Sequence, residues 1–180
     1  NKKLQLLTIG RLHYIKGIST LINTAKLLKD NGLDFEWTII GSGSKKEEER
    51  YLFQRHQLHL HEHVHFIGKK DHQSTLSYLS KTDLYVQPSL SEGFCNAVLE
   101  AQALGKLCVV SDAEGLAENV LDKQTGWVVP KLNPEAFAQK IHEVIHLSKL
   151  EKDKITQHAV QRVQQEFNLE KQKKMFNAFY

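Results

Sequence analysis

Short apolar runs alternate along this chain with segments whose apolar residues recur every three or four positions. Leu4-Gln5-Leu6-Leu7-Thr8-Ile9 reads as a strand. A turn at Gly10 follows, then a helix with Ile18, Leu21, Ile22, Ala25 and Leu28 on one face, stopped near Asn31-Gly32. Phe35-Glu36-Trp37-Thr38-Ile39-Ile40 predicts a second strand running into Gly41-Ser42-Gly43-Ser44, with a charged helix from Lys45 to about His56. Val64-His65-Phe66-Ile67 predicts a short third strand, and Asp71 is placed to N-cap a helix marked by Leu76, Tyr78 and Leu79. Leu84-Tyr85-Val86 is the fourth strand, and the helix that follows runs through Glu100 to Leu104 and ends at Gly105. Leu107-Cys108-Val109-Val110 and Trp127-Val128-Val129 are the fifth and sixth. Pro134 opens a long helix bearing Phe137, Ile141, Val144 and Ile145, in the first turn, where proline is favoured. From about residue 150 to 180 the chain turns polar and predicts one or two further helices.

Strands separated by helices imply an α/β fold: a Rossmann-like parallel sheet of about six strands with helices on both faces. In such sheets the ligand lies at the carboxyl ends of the strands. Gly10, Gly41, Gly68, Pro88 and Ser111 each follow a strand directly, so the polar residues converge on one edge. The 180 residues suit a single domain that buries about 70% of its unfolded surface. No repeat, low-complexity segment or linker interrupts it. The chain begins at Asn1, without methionine, and enters an apolar strand almost at once, which predicts a piece of a longer protein.

Composition narrows the function classes. A hydrophobic fraction of 41% and a charged fraction of 25% are those of an ordinary globular domain. The formal charge is only +3, and neither an arginine-rich block nor aromatic-basic interleaving argues for nucleic acid. Cys95 and Cys108 belong to no spaced metal pattern and are expected as reduced thiols in a cytoplasmic protein. No signal peptide or long apolar span is evident.

The run from Pro88 to Ala101 carries the most chemistry. It sets Glu92 and Glu100 eight positions apart, with Gly93 just after the first. Glu92 is expected at a helix entrance beside free backbone N–H groups, and Glu100 further along the same helix, on the face of Asn96. Helical throughout, that separation is at most ~12 Å, about the span between the two ends of a nucleotide sugar. Helix N–H groups suit a phosphate and carboxylates suit sugar hydroxyls.

After the first strand, Gly10-Arg11-Leu12-His13-Tyr14-Ile15-Lys16-Gly17 holds two cations, five residues apart, that either neutralise a diphosphate or are solvated near a turn. Gly41-Ser42-Gly43 lacks the third glycine of a dinucleotide fingerprint and reads as a tight turn more than a binding loop. The alternating histidines His59, His61, His63 and His65 would share one face of a strand. No cysteine or acid cluster completes a zinc site, so they read as a loop entering a strand. The charges from Lys45 to Arg50 read as a solvated helix face with local ion pairs.

Taken together these segments resemble the donor-binding, C-terminal domain of GT-B fold, family 4 retaining glycosyltransferases (the group 1 glycosyl transferases). The matching pieces are Gly10-Arg11-Leu12…Lys16-Gly17, Ile40-Gly41-Ser42-Gly43 and Val64-His65-Phe66-Ile67-Gly68. They continue with Pro88-Ser89…Glu92-Gly93-Phe94…Leu99-Glu100-Ala101, Ala103-Leu104-Gly105, Gly115…Glu118 and Gly126-Trp127-Val128-Val129. The resemblance implies a nucleotide diphosphate sugar, UDP- or GDP-linked, transferred with retention to an acceptor glycan or lipid-linked glycan. It assigns Arg11 and Lys16 to the diphosphate, Glu100 to the ribose and Glu92 to the transferred sugar. These act with Gly10, Gly41 and Gly93 and with backbone amides around Phe94, Cys95 and Asn96. Phe66, Ile67 and Gly68 would form the base pocket. It implies no metal and no other cofactor.

Two positions depart from the family pattern. Cys95 stands where glycine is usual, and Glu114 where a second glycine precedes Gly115. Cys95 bears on sugar preference, and a helix start is also a place where a thiol pKa is lowered. The resemblance further implies an N-terminal acceptor domain that this chain does not contain. The isolated chain is then expected to bind a donor and transfer nothing. In the full-length protein a peripheral position on the inner face of the cell membrane is compatible with this reading. Two other functions use the same donor site: a sugar-nucleotide epimerase, and a non-catalytic nucleotide-sugar sensor or transferase subunit.

Overall fold

A computed structural model describes residues 3–167. Its strands are β1 (Leu4–Ile9), β2 (Phe35–Ile40), β3 (Val64–Phe66), β4 (Leu84–Gln87), β5 (Leu107–Ser111) and β6 (Trp127–Val129). They form one six-stranded sheet in the order β3-β2-β1-β4-β5-β6, parallel throughout. Adjacent residues on a strand enter opposite cores, as a sheet covered on both faces requires. Leu6, Trp37, Ile39, Leu84, Val86 and Val109 pack under α1 (Ile18–Asp30), α2 (Lys45–Gln57) and α6 (Pro134–His146). Leu7, Ile40, Tyr85, Cys108 and Val110 pack under α3 (His72–Lys81), α4 (Asn96–Ala103) and α5 (Glu114–Asn119). Chain order reverses between β1 and β4, and the crevice between their carboxyl ends is where such sheets take ligands.

The helix stops and starts follow their local chemistry. Ser44 and Glu47 make a capping box at α2, as Ser148 and Glu151 do at α7 (Lys149–Glu166). Asp71 caps α3 through the Ser74 N–H, as predicted, and Asn133 caps α6 ahead of Pro134. Helix α7 packs on α4 and β5. Its Arg162 donates to the carbonyls of Glu118 and Asn119, closing the end of α5. No helix among the described residues is long and apolar enough to cross a membrane. The tail expectation is met as far as Glu166; the rest of it falls outside the described residues.

Three sequence expectations need correction here. Helix α4 begins at Asn96, so Glu92 lies in a loop and its separation from Glu100 is not helical throughout. The six-residue α5 was not predicted, being too short to display a period. Of the alternating histidines only His65 lies on a strand. His61 instead faces His56 at 3.0 Å, and His63 bonds the Phe35 carbonyl at 3.0 Å.

Candidate functional site

Two loops meet at the crevice, one leaving β1 and one leaving β4. The first turns through a short 3₁₀ segment, Tyr14–Lys16, into Gly17. Gly17 has φ +68°, and a Cβ there would land on the Pro88 carbonyl oxygen. Only glycine permits both that conformation and that approach. The Leu90 N–H then donates to the Ile15 carbonyl at 2.7 Å, fastening the loops together. From the other side the start of α5 closes in. A side chain at Gly115 would strike the carbonyls of Glu92 and Gly93, and its N–H donates to Glu92 O at 3.0 Å.

This clamp delivers the predicted acid and one predicted base to each other. Lys16 Nζ lies 2.6 Å from Glu92 Oε1, its stem crossing beside Gly10, and the Glu92 side chain is only 6% exposed. Ser89 Oγ donates to the same Oε1 at 2.7 Å. Among the described residues none donates to Glu92 Oε2. Arg11 is exposed on the same loop and makes no ion pair among the described residues. The two expected cations therefore differ: Lys16 is paired within the protein, and Arg11 makes no ion pair among the described residues. Sequence reasoning missed Tyr85, Gln87 and Ser89 behind Glu92; their signal was polar groups at alternate positions of an otherwise apolar strand.

Glu100 sits on α4, about one-third exposed, and His72 Nε2 lies 2.9 Å from its Oε1. Leu12, Gly41, Glu48, Leu52, Phe66 and Gly68 line a cavity of about 160 Å³ past the ends of β1, β2 and β3. Phe66 and Gly68, two of the three residues expected around the base, thus share one cavity with Gly41. Ile67 does not line it: its side chain packs against the second core and its N–H bonds Ile39 O. A larger hollow of about 410 Å³, lined by Leu4, Leu84, Leu107 and Lys152 among others, lies at the amino ends of the strands, away from Glu92.

Around the start of α4, Gly93 and Asn96 are exposed, and Phe94 turns its ring toward Phe167 at 5.7 Å. The N–H groups of Gly93, Phe94 and Asn96 donate to nothing among the described residues. Cys95 is different. Its N–H donates to Asn119 Oδ1 at 3.1 Å and its thiol is buried, so the structure removes it from the amides facing the crevice. Burial, reinforced by the Glu92 carboxylate, pushes the Cys95 thiol up to about 11, the reverse of the lowering expected at a helix start. Burial also raises Cys108, and both thiols are free. Glu114, in place of the second glycine, is exposed near Lys131 at 3.9 Å. Among the described residues no three His, Cys, Asp or Glu side chains cluster to hold a metal.

The site is thus a basic and acidic crevice at the turning point of a parallel sheet. The sequence profile of the Glycosyl transferases group 1 family matches residues 1–161. The amylovoran biosynthesis glycosyltransferase AmsK of Erwinia amylovora is 30% identical over 176 residues, 93% of this chain and 42% of AmsK. Sucrose-phosphate synthase of Thermosynechococcus elongatus superposes with a TM-score of 0.88 at 24% identity, over 99% of this chain and 46% of the other. Anabaena HepE, solved with UDP-glucose, gives 0.85 at 21% identity, over 93% of this chain and 45% of HepE. The chain spans less than half the length of each. With its profile matched across both crevice loops and all six strands, the chain belongs to the group 1 glycosyl transferases.

Proposed function

We propose that this chain binds a nucleotide diphosphate sugar and presents it for transfer, with retention of configuration, to an acceptor held by another part of a longer protein. The observation that carries the reading is the convergence of Arg11, Lys16, Glu92 and the outer face of α4 on the crevice between β1 and β4. Arg11 and Lys16 take the diphosphate, whose charge grows as the sugar departs, so fixed cations there lower the barrier. In this reading side chains, and no metal or cofactor, supply that neutralisation. Glu92 accepts a hydrogen bond from the sugar, and Glu100 from the ribose diol, in place of His72. The base enters the cavity beside Phe66 and Gly68.

UDP is the first nucleotide to test, since HepE was solved with UDP-glucose. GDP is the second. A glycan or lipid-linked glycan is the expected acceptor, by analogy with a relative named for amylovoran biosynthesis. On this reading the protein works in the cytoplasm, with peripheral contact to the membrane that carries such acceptors. Calorimetric titration with UDP, GDP and ADP, and then with their sugars, tests the reading. Glu100→Ala should weaken nucleotide binding about tenfold, the size of one charged hydrogen bond. Unchanged affinity would remove Glu100 from the ribose role.

A further inference from the structure

Tyr85, Gln87 and Ser89 are each 0% exposed, the first two on a strand whose other residues are apolar and the third two residues past its end. Their alternate spacing puts all three on one side of β4 and its extension. Burying three polar side chains is costly unless every one is satisfied. Here they are satisfied in series. Tyr85 Oη donates to Gln87 Oε1 at 2.6 Å, Gln87 Nε2 to Ser89 Oγ at 2.8 Å, and Ser89 Oγ to Glu92 Oε1 at 2.7 Å.

The direction of this chain is forced by chemistry. An ionised carboxylate only accepts, so Ser89 must donate to it. Ser89 then accepts from the amide nitrogen, which leaves the amide oxygen for the Tyr85 hydroxyl. The rear is anchored as well, because the Ile9 N–H reaches Tyr85 Oη at 3.3 Å. The Ser111 hydroxyl holds the Ser89 carbonyl from β5. With Lys16 and Ser89 both on Oε1, the carboxylate cannot rotate without losing two bonds, and no described residue donates to Oε2.

We propose that Gln87, with Tyr85 and Ser89, is a positioning residue for donor capture, aiming the Glu92 carboxylate at the sugar; this rests on the donor-site reading above. Gln87 touches no ligand in this scheme. It acts only through Ser89 and Glu92, so its loss weakens the sugar's share of binding and spares the nucleotide's.

The test uses this chain with UDP and UDP-glucose, and with GDP and GDP-mannose in parallel. In Gln87→Met the affinity gained by adding the sugar should fall about fivefold while nucleoside diphosphate affinity stays within about twofold. Tyr85→Phe, which keeps the ring, should shift it the same way. Equal weakening of both ligands, or a sugar contribution left intact, overturns the positioning role. A wild type for which neither sugar adds affinity overturns it too. A wild type that binds no nucleotide refutes the donor-site reading, and the sugar role falls with it. Ligand-free ¹⁵N NMR judges the relay separately: Glu92→Gln should displace the Gln87 side-chain amide resonances through Ser89. Resonances that stay in place would refute the relay even where nucleotide binds.

Discussion

At the scale of single residues, the Lys16–Glu92 pair does most to set the character of the site. Removing one member leaves the other partly desolvated and uncompensated, a change that costs ~3–5 kcal/mol when the pair is fully buried. Lys16 keeps about a quarter of its surface in water, so a smaller penalty follows. We expect Lys16→Met to lower stability by roughly 1–3 kcal/mol in urea unfolding, and Lys16→Met with Glu92→Gln to recover most of it. A double variant as unstable as the single one would show that the pair is not the source. Cys95 gives a second expectation. Its thiol is raised from 9.0 to about 11, so it holds about a hundredfold less thiolate at pH 8 than an unperturbed cysteine. Native-state reaction with a disulfide reagent should be slowed by the scarcity of thiolate and by burial of the sulfur, and be released by denaturant. The sign for stability is also set: the protonated thiol's contribution is whole below pH 9 and is lost as pH climbs through about 11. The charged members, Arg11, Lys16, Glu92 and Glu100, stood out in sequence through the joint family resemblance of their segments, since the residues alone left Arg11 and Lys16 either diphosphate ligands or solvated cations. Gln87 and Ser89 did not, since their role depends on which strand faces Glu92. Cys95 misled for the same reason: local position predicts a lowered pKa, and burial by distant α5 raises it.

At the scale of elements, the loops are held by close backbone approach more than by their own side chains. Gly17→Ala would force a methyl onto the Pro88 carbonyl at a positive φ. We expect a loss of ~2–3 kcal/mol or more in denaturant unfolding, at or beyond the upper end of the ~1–3 kcal/mol that one strained residue costs alone. A near-neutral result would mean the two loops separate easily. Strand and helix bounds were readable almost to the residue, as Leu4–Ile9, Phe35–Ile40 and Trp127–Val129 show, because apolar runs and caps are local signals. The start of α4 was misplaced because what holds residues 92–95 off the helix is the contact of Gly115 with Glu92, which spans the strand β5 between them.

For the whole molecule, the parallel sheet with two covered faces followed from alternation of strands and helices. Its order did not, since nothing local says that β4 joins β1 on the side away from β2. That one choice creates the crevice and brings the β1 and β4 loops together. On the proposed division of labour this chain holds the donor and the acceptor is held elsewhere. Given UDP-glucose and an acceptor glycan, the isolated chain is expected to show transfer at background, by product chromatography. Robust transfer would refute the division of labour proposed above.

The pairing of Lys16 with Glu92 also sets how the site responds to ionic strength. Of its four charged side chains Lys16 and Glu92 cancel at 2.6 Å and Glu100 meets His72, while Arg11 is exposed and makes no ion pair among the described residues. Salt screens exposed charges and spares close, half-buried pairs. The approaching nucleotide therefore meets a nearly neutral crevice with a single guanidinium at its lip, and its affinity will bend little with added salt.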